Sequence, residues 1–322
     1  MKLFSSAEQL IAQGGWRGVV CIGNFDGVHL GHVGLLHCAK ALGPVLVLTF
    51  EPHPVVMLFP ERAPKRIATP ERKLALLAQQ GVMAVVSQSF DASFASTSAA
   101  QFERLLFSDL GAHAIAIGAN FTYGAGRCGN VQTLQEASRR LKGKLFIFPE
   151  LKIEGKVVSS SQIRRWVASG NIEEAKVYLG RPFELEGEVV EGQKRGRAMG
   201  FPTANICCAD MLTPKPGVYA VQFSLDSQRL WRGGVANLGY KPTFAAEASG
   251  HASAAAPPPS TALSLRAELE VHVLEASGEW YGEKATIRFL SRLRDERRFA
   301  SVEALKEQIR ADIIAAKPFL KP

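Results

Sequence analysis

A chain of 322 residues, 47% apolar and 8% aromatic, is long enough for two domains with a core each, and its composition excludes a disordered or collagen-like polypeptide. The net charge of +8 lies mainly in the first 180 residues, which carry +6 against +2 for the remainder, and this excess favours anionic partners such as phosphorylated small molecules. The most basic cluster, Arg292 to Arg298, has acids inside it and few aromatics around it, which argues against nucleic acid.

The first ten residues, MKLFSSAEQL, lack the apolar core of a signal peptide. No window nears the roughly 18 consecutive apolar residues of a membrane span. The expectation is a cytoplasmic protein with no membrane partner. Five cysteines without a C-x-x-C pair suggest neither a disulfide frame nor a zinc site.

In chain order, GVVCIG, PVLVLTF, VMAVVS, AHAIAIG and KLFIFP read as strands. Helical patterns lie between them: in TPERKLALLAQQG, Thr69 is the N-cap, Pro70 the first helical residue and Gly81 the stop. SAAQFERLLFSDLG opens with Ser98 and Gln101 at capping-box spacing. Strand alternating with helix predicts an α/β domain with a parallel sheet covered on both faces, over residues 1–180.

After Gly180 the strands follow one another without helices: ELEGEVVEG, GVYAVQF, WRGGVANL, RAELEVHVLE and KATIRFL. Short strands with Gly and Pro turns predict a small antiparallel β-barrel or sandwich over 181–322, closed by a helix starting at Ser301. Residues 245–260, rich in Ala, Pro and Ser, read as a mobile loop inserted between two of these strands.

Four stretches carry chemistry. GNFDGVHLGH, Gly23 to His32, stands where the first sheet strand hands over to a helix, a place where free N–H groups attract anions. His29 and His32 are one turn apart and can face one phosphate, with Gly27 and Gly31 leaving room for a nucleotide. GANFTYGAGRCGN holds a literal G-x-G-x-x-G at Gly124, Gly126 and Gly129, but ANFTY separates it from its strand, so a loop shaping a cleft, with Asn120 as donor, suits it better than a dinucleotide fingerprint.

SSSQIRR places hydroxyls at a helix head with Arg164 one turn in, a set that holds a triphosphate or simply over-caps the helix. In GQKRGRAMGFPTANI, alternation puts Thr203 and Asn205 on one strand face, where their oxygens suit Mg²⁺ bound to phosphates; a plain hairpin is the other reading.

These stretches, together with TFEPHP, GVANLGYKPTF, LEVHVLE, WYGE and FLSRLRDERRF, resemble in order the bifunctional riboflavin kinase/FMN adenylyltransferase family. The resemblance implies a Rossmann-like nucleotidyltransferase domain followed by a riboflavin kinase-like barrel. It implies ATP-dependent phosphorylation of riboflavin to FMN with release of ADP, then adenylylation of FMN by a second ATP to FAD and pyrophosphate, with Mg²⁺ as cofactor.

By this resemblance His29, His32 and Arg164 act on the transferring phosphates, and Gly23, Asn24, Phe25, Asp26, Gly31, His53, Asn120, Ser160 and Ser161 surround the nucleotide and flavin. In the kinase, Glu270 is implied as the base, Gly196, Thr203 and Asn205 as nucleotide contacts, and Thr203 and Asn205 as metal ligands, in a pocket expected inside the barrel. By pattern alone Glu270 reads as a solvated alternate position in an apolar strand. Departures from the family pattern are Leu30, Ser161, Met199, the EWYG run and the insertion at 245–260. The rival readings are a nicotinamide-dinucleotide enzyme resting on GAGRCG and an RNA-binding module resting on charge.

Overall fold

A computed structural model describes the chain apart from residues 193–195, 197–198, 209–210, 229, 243–264, 277 and 321–322. The expected loop at 245–260 and most of the basic run at 193–197 thus lie outside the described residues. The chain divides into two compact units, Met1–Ile163 with Tyr178–Gly180, and Arg164–Val177 with Arg181–Pro322.

The first unit is built on a six-stranded sheet of β1 (Lys2–Phe4), β2 (Val19–Ile22), β3 (Val45–Glu51), β4 (Ala84–Ser89), β5 (Ala114–Gly118) and β6 (Leu145–Phe148). Its order is β1-β4-β3-β2-β5-β6, and every pairing is parallel. Alternate residues of the central strands supply two cores. Val20, Ile22, Leu46, Leu48, Ile115 and Ile117 face one side. Val19, Cys21, Val45, Val47, Ala114 and Ala116 face the other, against Leu35 and Leu36 of helix α1 (Leu30–Lys40) and Leu76 and Leu77 of α2 (Pro70–Gln79). Each such buried aliphatic side chain contributes about 1.5–3 kcal/mol, so a sheet covered on both faces is the stable outcome of these apolar runs. This is a Rossmann-like layering.

The caps behave as their chemistry predicts. Thr69 Oγ1 accepts the Arg72 N–H at 3.1 Å, and Gly81, just past the helix, takes φ +72°. Ser98 and Gln101 form a capping box. Two features depart from the sequence pattern. Helix α3 (Ala99–Arg104), opened by Ser98, widens to a π-turn over Leu105–Asp109, which places Phe102, Leu106 and Leu110 together in the core. At the N-terminus, β1 is an edge strand followed by a short helix, Ala7–Ala12, capped by Ser6.

The second unit is a closed barrel of β7 (Phe183–Val190), β8 (Ala204–Cys207), β9 (Gly217–Leu225), β10 (Arg232–Pro242), β11 (Leu265–Val273) and β12 (Lys284–Arg294), ordered β7-β8-β11-β10-β9-β12 and antiparallel throughout. Buried Leu185, Tyr219, Phe223, Leu269, Val271 and Phe289 make up its packed core. Ala316 and Ile313 of the closing helix α5 (Val302–Ala316), whose N-cap is Ser301, pack on Val218, Ala220 and Val235.

That arrangement corrects one expectation. Among the described residues large apolar side chains fill the barrel interior, and the pocket that Glu270 lines opens on the outer wall instead. Glu270, between the buried Leu269 and Val271, points by alternation to the outer wall. Among the described residues no helix is long and apolar enough to cross a membrane.

Candidate active sites

In the first unit a cleft of about 210 Å³ is lined by the ends of β2 (Ile22, Gly23), β5 (Gly118, Asn120) and β6 (Phe148, Pro149), with His29 and His32. The sheet order reverses between β2 and β5. A crevice outside the carboxyl ends of strands at such a switch point is where open α/β sheets bind ligands.

The loop from β2 to α1 is tightly specified. Phe25, Gly27 and Val28 all take positive φ, a conformation that L-residues hold only when their surroundings enforce it. Phe25 is fully buried with its ring 4.9 Å from that of His32. A Cβ at Gly27 would lie 2.7 Å from Ile67. The Asp26 carboxylate accepts the N–H groups of Ile67 and Ala68 at 3.1 and 3.3 Å, and its carbonyl accepts the Ser160 hydroxyl at 3.0 Å.

At the head of α1 the histidines cap each other. The His29 N–H donates to His32 Nδ1 at 3.3 Å and the His32 N–H to His29 Nδ1 at 3.4 Å. Their rings stack 3.7 Å apart at 17°. An Nδ1 that accepts carries no hydrogen, so in each neutral ring the hydrogen sits on Nε2, where it can be donated to an anion. A Cβ at Gly31 would press on the His29 ring at 3.1 Å.

Of the residues expected here, Gly23, Phe25, His29, Gly31, His32 and Asn120 line the cleft. The Asn24 amide lies 3.1 Å from His53 Nε2, while His53 Nδ1 accepts the Val55 N–H. Ser159, not Ser160, both lines the cleft and caps helix α4 (Ser160–Ala168) by accepting the Gln162 N–H. Ser161 is exposed, and Arg164, one turn on, belongs to the second unit. The glycines of G-x-G-x-x-G shape a small ribbon, Thr122–Tyr123 with Gly129–Asn130, joined by a 3-10 turn at Ala125–Arg127; the next α-helix opens only after Asn130.

Sequence reasoning missed the support beneath this loop. Buried Lys73 donates to Glu51 at 2.6 Å and to Thr49 Oγ1 at 3.3 Å; Thr49 in turn donates to the Asn24 carbonyl at 3.1 Å. Arg66 completes the pairing on Glu51 at 2.9 Å. Burial pushes the Glu51 carboxyl up, and the bonds and charges of Lys73 and Arg66 more than offset it, leaving the group below the usual carboxylate range.

In the second unit a pocket of about 380 Å³ lies on the outer barrel wall, bordered by Leu305, Ile309 and Asp312 of α5. Gly196, Thr203, Asn205 and Glu270, the residues that the family resemblance names for the kinase, line it together with Asn237 and His272. Glu270 pairs in register with Asn205 on one side and Asn237 on the other. One carboxylate is therefore flanked by two carboxamides across three strands. His272 Nδ1 lies 2.9 Å from the Pro202 carbonyl; a carbonyl only accepts, so Nδ1 carries the hydrogen and ties β11 to the residue preceding Thr203.

The remaining wall comes from the loop after β12. Arg294 grips the buried Asp312 of α5 through two bonds of 2.8 and 2.7 Å, a fork geometry that fixes direction as well as distance. Glu296, Arg297 and Phe299 then face the pocket.

Thr203 and Asn205 offer neutral oxygens beside the Glu270 carboxylate, a donor set that suits a hard cation carrying phosphates. Among the described residues no group of three or more His, Cys, Asp or Glu forms a metal set.

Comparison with known proteins accords with this division. Residues 15–162 match the FAD synthetase family model and residues 179–320 the riboflavin kinase model. Bifunctional riboflavin kinase/FMN adenylyltransferases of Pseudomonas fluorescens, Escherichia coli K12 and Bacillus subtilis are 38%, 37% and 34% identical over 94%, 94% and 95% of this chain, and over 93%, 92% and 93% of their own lengths. A solved Streptococcus pneumoniae structure, described as a macrolide-efflux protein, superposes with a TM-score of 0.81 at 29% identity over 98% of both chains. With two family models in tandem and full-length relatives above 30% identity, the chain belongs to the bifunctional riboflavin kinase/FMN adenylyltransferase family.

Proposed function

We propose that the two reactions of this enzyme divide between two parts of the chain, with residues 1–180 adenylylating FMN and residues 181–322 phosphorylating riboflavin. The observation that carries the reading is that each unit has a pocket of its own with a different chemistry: paired imidazole donors at a sheet switch point in one, a carboxylate between amides in the other.

In the barrel pocket the terminal ribityl hydroxyl of riboflavin attacks the γ-phosphorus of ATP, and ADP leaves. Glu270 takes the hydroxyl proton, a contribution of about 10²- to 10⁴-fold for such a base. Apolar Phe201, Val235 and Phe299 suit the flavin ring. Thr203 and Asn205 would hold Mg²⁺, which when bound neutralises phosphate charge.

In the sheet cleft the FMN phosphate attacks the α-phosphorus of ATP and pyrophosphate leaves. No protein nucleophile is needed. The two Nε2–H groups donate to the phosphoryl oxygens as charge builds there, Asn120 and the backbone at Gly23 border the substrates, and Ser160 and Asp26 hold the loop. Ser161, at the head of helix α4, is the hydroxyl offered to ATP phosphates. A cytoplasmic location is the expectation for both steps.

The test is incubation with riboflavin, ATP and Mg²⁺ and chromatography of the flavins, which gives FMN and then FAD. His29→Ala stops at FMN; Glu270→Ala makes no FMN yet converts supplied FMN to FAD. Failure of both variants at the same step overturns the division.

A further inference from the structure

Glu296 lies in the loop between β12 and α5 and is exposed, yet its carboxylate has a built seat on β10. Asn237 Nδ2 donates to Glu296 Oε1 at 3.4 Å. Two residues along the same face of the strand, Gly239 leaves the space that this carboxylate fills: a Cβ there would lie 2.5 Å from Oε1. Gly239 has no positive φ among the glycines that do, so the missing side chain is needed for the neighbour and not for the backbone.

The seat matters because of what the loop carries. Its two ends are fixed, by the Arg294–Asp312 fork and by Ser301 as cap of α5. Between them stand Arg297 and Phe299, which wall the pocket beside Glu270. Arg297 bonds Gln308 of α5 and its guanidinium lies 5.0 Å from the Phe299 ring, contacts that tie the middle of the loop to the helix. Glu296 ties it to the strand that bears Asn237, in register with Glu270.

We infer that Glu296, seated by Asn237 and Gly239, is a positioning residue for the flavin phosphorylation step: it sets the height of the Phe299 wall over the pocket and thereby the affinity for the flavin ring. Asn237 serves as the donor of the seat and Gly239 as its clearance. The inference rests on the reading that riboflavin is phosphorylated in this pocket.

Gly239→Ala and Glu296→Ala test it in the full-length enzyme. The clash in Gly239→Ala falls on the far end of an exposed side chain, so the variant displaces the carboxylate without unfolding the barrel. Each variant raises the KM for riboflavin by about tenfold and leaves kcat within about threefold, the split expected when binding and not chemistry is lost. The double variant Gly239→Ala/Glu296→Ala matches the singles, because both remove the same contact. Adenylylation of supplied FMN and the thermal midpoint stay at wild-type values.

An unchanged KM in either single variant, or effects that multiply in the double, overturns the inference. Glu270→Gln separates the two levels. If it abolishes riboflavin phosphorylation while Gly239→Ala and Glu296→Ala keep the wild-type KM, only the seat is lost; if it phosphorylates riboflavin at the wild-type rate, the pocket assignment falls first.

Discussion

His29 and His32 each accept the other's backbone N–H through Nδ1, with their rings stacked 3.7 Å apart. One reciprocal contact starts the helix and also chooses which ring nitrogen can reach a phosphate. Capping and charge stabilisation are therefore separable by substitution.

In His29→Asn the amide oxygen falls near the Nδ1 position and keeps the cap, but nothing replaces Nε2–H. FMN adenylylation falls by about 10²- to 10³-fold, the usual cost of one oxyanion-type donor, with an unchanged thermal midpoint. His29→Gln extends its amide toward the Nε2 position and loses the cap. It retains more activity and loses about 1 kcal/mol of stability. Steady-state rates and thermal melts of the two variants check the contrast.

Lys73→Met leaves Glu51 half-buried with Arg66 as its remaining ion-pair partner and removes the bond to Thr49. Stability falls by about 2–3 kcal/mol, less than for a fully enclosed pair because the Glu51 side chain is 24% exposed. Urea titration measures the loss.

The same pairing gives an acid sensitivity. The Glu51 carboxyl sits lower in the folded chain than in the unfolded one, so its contribution is complete above the unfolded value of about 4.3 and is lost as pH falls through the folded value. Glu51→Gln is less stable than wild type at pH 7, and the gap narrows as acid is added. Denaturant midpoints followed from pH 7 downward check the sign.

Asp312 is buried on α5 and holds Arg294 through two bonds. Asp312→Ala strands the guanidinium and costs about 3 kcal/mol. Riboflavin phosphorylation is lost because the pocket wall loosens, while conversion of supplied FMN continues. Flavin chromatography from the two starting substrates separates these outcomes.

Thiol labelling of the native enzyme discriminates among the cysteines. Burial in the sheet pushes the Cys21 thiol up to about 12, so almost none is thiolate at pH 8, whereas Cys128 is exposed. An alkylating reagent modifies Cys128 first and Cys21 only after denaturation, as peptide mass mapping will record.

The first site was legible because its chemistry is local: two histidines one turn apart at a strand end declare both a phosphate and a helix. The second was not. Glu270 between Leu269 and Val271 looks like any solvated alternate position, and its meaning depends on Asn205 and Asn237 arriving beside it from other strands. Alternation reveals which face a residue takes; it does not reveal which strand lies next to it, and that is why Asn237 and Glu296 escaped notice. Lys73 was hidden differently, since a lysine in a helix pattern reads as surface until its partner Glu51 is placed against it.

Pocket residues on the outer barrel wall alternate with the residues that hold the barrel together. Along β11, Leu269, Val271 and Val273 pack inward, while Glu270 and His272 line the pocket, His272 also holding the Pro202 carbonyl. Folding and chemistry are thus written on odd and even positions of one ribbon, and a designer seeking a different vitamin analogue can rewrite the even positions while leaving the framework untouched.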